Sequence, residues 1–151
     1  MPRSAGLHFA LAAASTLLLA AVADVAAAKP LVQSKTKNCG TTNTCVLNIS
    51  TVPAGVRWVV RQIACLHTFS PRTIAVQIHL LIVQNAGETV GTYPLQPFRL
   101  GDSGTTANYA DEVSVFINAA SGQDIRFIFS ISDAPASHGV QCTLSGESFA
   151  N

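Results

Sequence analysis

Residues 74–84 read Ile74-Ala75-Val76-Gln77-Ile78-His79-Leu80-Leu81-Ile82-Val83-Gln84. Successive side chains of an extended chain point to opposite sides. Ile74, Val76, Ile78, Leu80 and Ile82 therefore share one wholly apolar face, while Ala75, Gln77, His79, Leu81 and Val83 share a mixed one. This period of two predicts a strand. Residues 124–132 repeat it, with Ile125, Phe127, Phe129 and Ile131 inward and Asp124, Arg126, Ile128 and Ser130 outward. Val113, Val115 and Ile117 do the same just upstream, and the intervening Ala120-Ser121-Gly122-Gln123 predicts a hairpin. A second hairpin is expected through Asn85-Ala86-Gly87-Glu88, joining 74–84 to 89–93. Residues 46–49 and 140–144 supply shorter strands.

The remaining strand, 56–66, changes phase. Val56, Trp58 and Val60 are even-numbered, but Ile63 and Cys65 are odd-numbered. A β-bulge near Arg61-Gln62 would restore one apolar face and turn Cys65 inward, toward an inward Cys142. Downstream of residue 28 no segment keeps a helical period over ten residues. Short strands at intervals of about ten residues, with Gly, Pro and Ser between them, predict an all-β domain. The expected architecture is a single antiparallel β-sandwich of about seven to eight strands, the jelly roll being one form it can take.

The amino terminus reads as an export signal. Met1-Pro2-Arg3-Ser4 is basic, residues 5–23 carry no charge, and Ala26-Ala27-Ala28 places small residues where a signal peptidase reads. Cleavage after Ala28 is expected, which assigns residues 1–28 to a signal peptide, 29–38 to a polar lead-in of the kind that is often disordered, and 39–151 to the sandwich. It also leaves no membrane span and puts the domain in the periplasm or outside the cell. The residues beyond 28 hold eight basic and seven acidic side chains. That balance builds no basic face, so nucleic acid is excluded as a partner; a glycan or a protein remains as ligand class.

Four cysteines, Cys39, Cys45, Cys65 and Cys142, all follow the signal segment. An even count in an oxidising compartment implies two disulfides. Three pairings are possible and spacing alone does not choose among them; the preferred one joins Cys39 with Cys45, closing the polar loop Gly40-Thr41-Thr42-Asn43-Thr44, and Cys65 with Cys142, tying an early strand to the last. Zinc needs paired Cys-x-x-Cys or His spacings that the chain lacks, so neither a metal nor a cofactor is expected.

Thr51-Val52-Pro53-Ala54-Gly55 runs into Val56-Arg57-Trp58-Val59-Val60, and Gly139-Val140-Gln141-Cys142-Thr143-Leu144-Ser145-Gly146 stands near the end. In these segments the chain resembles a loose group of small exported bacterial β-sandwich proteins, which open a strand with Val-Pro-Ala-Gly and close with Cys-x-apolar-Ser-Gly. The resemblance implies the fold and export but brings no catalytic or binding residues. The Cys39/Cys45 pair departs from it.

The sequence offers four candidate sites. Gly101-Asp102-Ser103-Gly104 resembles the nucleophile segment of trypsin-like serine proteases, with His67 as base to Ser103, but Thr105-Thr106 follow where that family has glycine and proline. Gly, Asp and Ser are also ordinary loop formers, so a small serine hydrolase is the less favoured alternative and no catalytic residue is assigned. A hairpin between 56–66 and 74–84 would hold His67 and His79 about five residues of strand apart, or roughly 17 Å. Asp111 and Glu112, being neighbours, face opposite sides and cannot act as a carboxylate pair. Finally, Tyr93, Phe98 and Tyr109 lie in or beside the long connection 94–109, and an exposed aromatic platform there would suit a carbohydrate-binding module. The expected function is a non-enzymatic exported binding or surface-associated module.

Overall fold

The computed structural model describes residues 27–72 and 75–151. The expected signal peptide, save its last two residues, lies outside the described residues, as does Ile74. Within them there is no helix, and none therefore long and apolar enough to cross a membrane. Nine strands form instead: β1 (Lys29–Asn38), β2 (Thr44–Thr51), β3 (Val56–Ser70), β4 (Val76–Asn85), β5 (Glu88–Pro94), β6 (Phe98–Ser103), β7 (Thr106–Ala119), β8 (Asp124–Ile131) and β9 (Ser137–Ala150).

They make two sheets, ordered β1-β9-β3-β7-β6 and β2-β8-β4-β5. Four antiparallel ladders, β1 with β9, β2 with β8, β3 with β7 and β4 with β5, nest inside one another along the chain. Alternate ladders fall in alternate sheets, which is the winding of a jelly roll. Strand β6 is an addition that pairs only with β7, at the edge of the larger sheet.

The core lies between the sheets. Ile125, Phe127, Phe129 and Ile131 of β8 are buried as the alternation predicts, and Ile63, Phe69, Ile117 and Leu144 meet them from the other sheet. The bulge is also present: between Val60 and Gln62 the register of β3 shifts against both neighbours. Arg61, the extra residue relative to β9, turns out to solvent, where it pairs with Glu147 at 3.2 Å and lies over the Phe116 ring. Opposite the bulge stands Gly146, and a Cβ there would collide with the Val59 carbonyl. Gly146→Ala is expected to cost about 1–3 kcal/mol, as overpacking against rigid backbone does. Urea unfolding should show a lower midpoint at unchanged m; an unchanged midpoint would mean that β9 yields freely.

Four expectations require correction. Residues 29–38 are a strand and no lead-in: β1 pairs with β9 from Lys29 to Asn38, so the folded domain starts about ten residues earlier than expected. As an edge strand it buries only Leu31 fully, which erases its alternation. The connection 94–109 is largely β6 and the start of β7. Strands β7 and β8 do not form a hairpin, because the turn at 120–123 crosses from one sheet to the other, with Gly122 N–H donating to Val52 O at 2.9 Å. Nor do β3 and β4 pair; they face each other across the core. The β4–β5 hairpin forms as expected, around Ala86 and Gly87, both at positive φ as a two-residue type I′ turn requires.

Strand β4 also resolves which of its faces is inside. Its partners across the ladder are His79 with Phe129, Leu81 with Phe127 and Val83 with Ile125, all inward residues of β8. The mixed face therefore joins the core. Ile78 and Leu80, from the wholly apolar face, look outward, since a ladder shares its faces strand by strand.

Candidate functional site

The bulge in β3 places Ile63, Cys65, His67 and Phe69 on the core side. Asp111 of β7 is the register partner of Cys65, and Cys142 of β9 is its partner on the other side. Cys65 and Cys142 form one disulfide and Cys39 and Cys45 the other, the pairing preferred from the sequence. Two such bonds suit an oxidising, exported compartment. From the facing sheet, β4 projects His79 toward the same spot. His67, Asp111 and His79 are 0%, 3% and 4% exposed.

In this cluster His79 Nδ1 lies 2.6 Å from Asp111 Oδ2, and His67 Nε2 lies 3.4 Å from the same oxygen. Both are close approaches without the alignment of a hydrogen bond, and the polar atoms of the three side chains approach only one another. The imidazoles meet edge to face at 4.5 Å, and His67 stacks on Phe129 at 3.9 Å. Buried aromatic packing thus fixes both rings.

Electrostatics follow from depth. Burial pushes the His67 imidazole down to about 4 against the opposing pull of Asp111, so His67 is neutral at pH 7. Burial alone would raise the Asp111 carboxyl, but the two imidazoles outweigh it and hold the group below its usual range. His138 is also lowered by burial. It sits apart from the cluster, 5.1 Å from the Phe129 ring, with Nδ1 3.4 Å from Thr42 O. Beside Asp111 an open cleft of about 350 Å³ is lined by Pro94, Leu95, Gln96, Glu112 and Val113. Leu95 N–H donates to His79 O at 2.8 Å, joining the cleft wall to the cluster.

The expected separation of His67 and His79 is therefore overturned: side by side in one sheet they would be distant, whereas face to face across the sandwich they touch. Asp111 and Glu112 do face opposite ways, with Glu112 outside accepting from Gln62 Nε2 at 2.7 Å. Ser103 ends β6 in an exposed hairpin opposite Thr106, whereas His67 is buried between the sheets. The aromatic residues are not gathered into one platform. Tyr109 stacks on buried Phe69 at 5.3 Å, Phe98 stands exposed opposite Ala110, and Tyr93 covers Gly91 on the edge strand of the other sheet.

No family model and no curated protein matches the chain. Among solved structures it is similar to a chain of the cyanophage Pam1 capsid asymmetric unit, at 15% identity and a TM-score of 0.46, with 100% of each chain covered.

Proposed function

We propose that the chain is a non-enzymatic exported module, acting in the periplasm or outside the cell, that works by surface association through the outer face of its four-stranded sheet. One observation carries this reading. Val46, Ile128, Leu80 and Pro94 are register partners and form an apolar row across all four strands, with Ile78 beside it. Val46 and Ile78 are 39% and 48% exposed, and Ile128 and Leu80 are half-buried. Contiguous exposed apolar surface on a soluble domain marks an interaction site more often than isolated apolar residues do.

Sedimentation velocity on the domain from residue 29 tests it. The domain is expected to associate, with itself or with a partner from the exported fraction of the producing culture. Ile78→Lys with Leu80→Lys adds two charges to the row without entering the core, and should weaken that association about tenfold or more. A domain that stays monomeric and partner-free, or an association indifferent to the charges, would sink the proposal. Labelling of Ser103 by a fluorophosphonate probe would overturn its non-enzymatic half.

A further inference from the structure

We infer that His67, His79 and Asp111 form a binding site for one divalent transition-metal ion of the zinc class, a site that staples the two sheets together. The inference is independent of the association surface, which lies on the outside of the sandwich.

The donor atoms of these side chains and of Cys65 all lie within 4.8 Å of one another. The Cys65 sulfur is held in its bond to Cys142, which leaves two imidazole nitrogens and a carboxylate. That donor set suits zinc and its neighbours, whereas calcium and magnesium prefer all-oxygen shells. Bonds of about 2.0–2.1 Å at tetrahedral angles put two donors roughly 3.4 Å apart. His67 Nε2 and Asp111 Oδ2 already stand at 3.4 Å, and the 2.6 Å approach of His79 Nδ1 needs to open by less than an ångström.

Burial strengthens the case. Side-chain nitrogens and oxygens this deep are nearly always hydrogen-bonded, yet those of all three residues lack an aligned hydrogen bond and approach only one another. A cation between them would satisfy one nitrogen of each imidazole and an oxygen of Asp111 at once. His67 is held by its stack on Phe129, and His79 meets the same ring edge-on at 5.2 Å, so both rings are positioned before an ion arrives. An open cleft reaches Asp111, although neither histidine lines it. Since β3 and β7 belong to one sheet and β4 to the other, the ion would cross-link the sandwich at its centre.

The test uses the untagged domain from residue 29 with both disulfides intact, stripped by chelator and dialysed. Titration with Zn2+ is expected to show one equivalent bound per chain and a raised thermal midpoint, and Co2+ should develop the visible absorption of a low-coordinate site. Zinc-edge X-ray absorption of the wild-type complex should count two imidazoles. His79→Gln and Asp111→Asn should each lower affinity at least about tenfold, since even groups behind the ligands matter that much. Failure of the folded wild-type domain to bind Zn2+ or Co2+ stoichiometrically would overturn the inference. So would a zinc spectrum without imidazole, or undiminished binding by either folded variant; because the spectrum is read on wild type, a variant that fails to fold does not protect the claim.

Discussion

Replacing Cys65 and Cys142 together by alanine is expected to lower the unfolding free energy by about 4.5 kcal/mol. The two residues are 77 apart in sequence, and the cross-link removes from the unfolded chain the entropy of a loop of that length. The chain-entropy relation gives roughly 4.5 kcal/mol for it at 25 °C, against about 2 kcal/mol for Cys39–Cys45. That smaller loop spans a sequence separation of only 6. The paired sulfurs are also core atoms, with Cys65 and Cys142 4% and 0% exposed, so truncation leaves unfilled volume as well. Domains of this size are stable by only about 5–15 kcal/mol, so a third or more of the total is at stake. Urea unfolding of Cys65→Ala/Cys142→Ala beside Cys39→Ala/Cys45→Ala measures both. If the first pair costs no more than the second, the long-range bridge does not act through the unfolded state.

Much of this arrangement is legible in the sequence because the physics is local. The inward face of β8, the β4–β5 turn and the bulge in β3 all follow from parity and turn chemistry. The bulge in particular is a phase error that only an extra residue can repair, and it aims Cys65 at Cys142. What parity cannot say is which sheet a strand joins. Two strands with apolar inner faces look alike whether they lie side by side or face to face, so β7–β8 and β3–β4 read as hairpins when each pair in fact spans the core. That ambiguity concealed the cluster. Its signal was nevertheless present: Asp111 has the parity of Val113, Val115 and Ile117, His67 that of Ile63 and Cys65, and His138 that of Val140, Cys142 and Leu144. A carboxylate and two imidazoles in phase with apolar core positions must find partners in the interior. His79 carried a weaker signal, because β4 offers two apolar faces and only its ladder with β8 selects the one that holds His79.

With chelator present throughout, the domain should lose about 3 kcal/mol of stability between pH 6.5 and pH 4 through His67 alone. The folded His67 titrates near 4, whereas the unfolded chain binds that proton near 6.5. Between these values the unfolded state carries more protons, so the unfolding free energy must fall as pH falls, by about 1.4 kcal/mol per pH unit. Below pH 4 both states are protonated and the contribution is fully lost. His138, lowered by burial, adds to the loss in the same direction below 6.5. Asp111 acts in a lower window: its carboxyl is depressed below the ordinary 3.8, so its contribution holds above that value and disappears as pH drops through the folded pKa. Urea midpoints at pH 7.5, 5.5 and 4 should therefore descend steeply, and His67→Gln should flatten the upper part of the curve even if it lowers the whole. A profile of the unmodified domain that is level from 6.5 to 4 would require His67 to accept its proton as readily folded as unfolded. That is incompatible with an imidazole closed between Phe129 and His79 in the centre of the sandwich, unless the sheets part at that point to admit water.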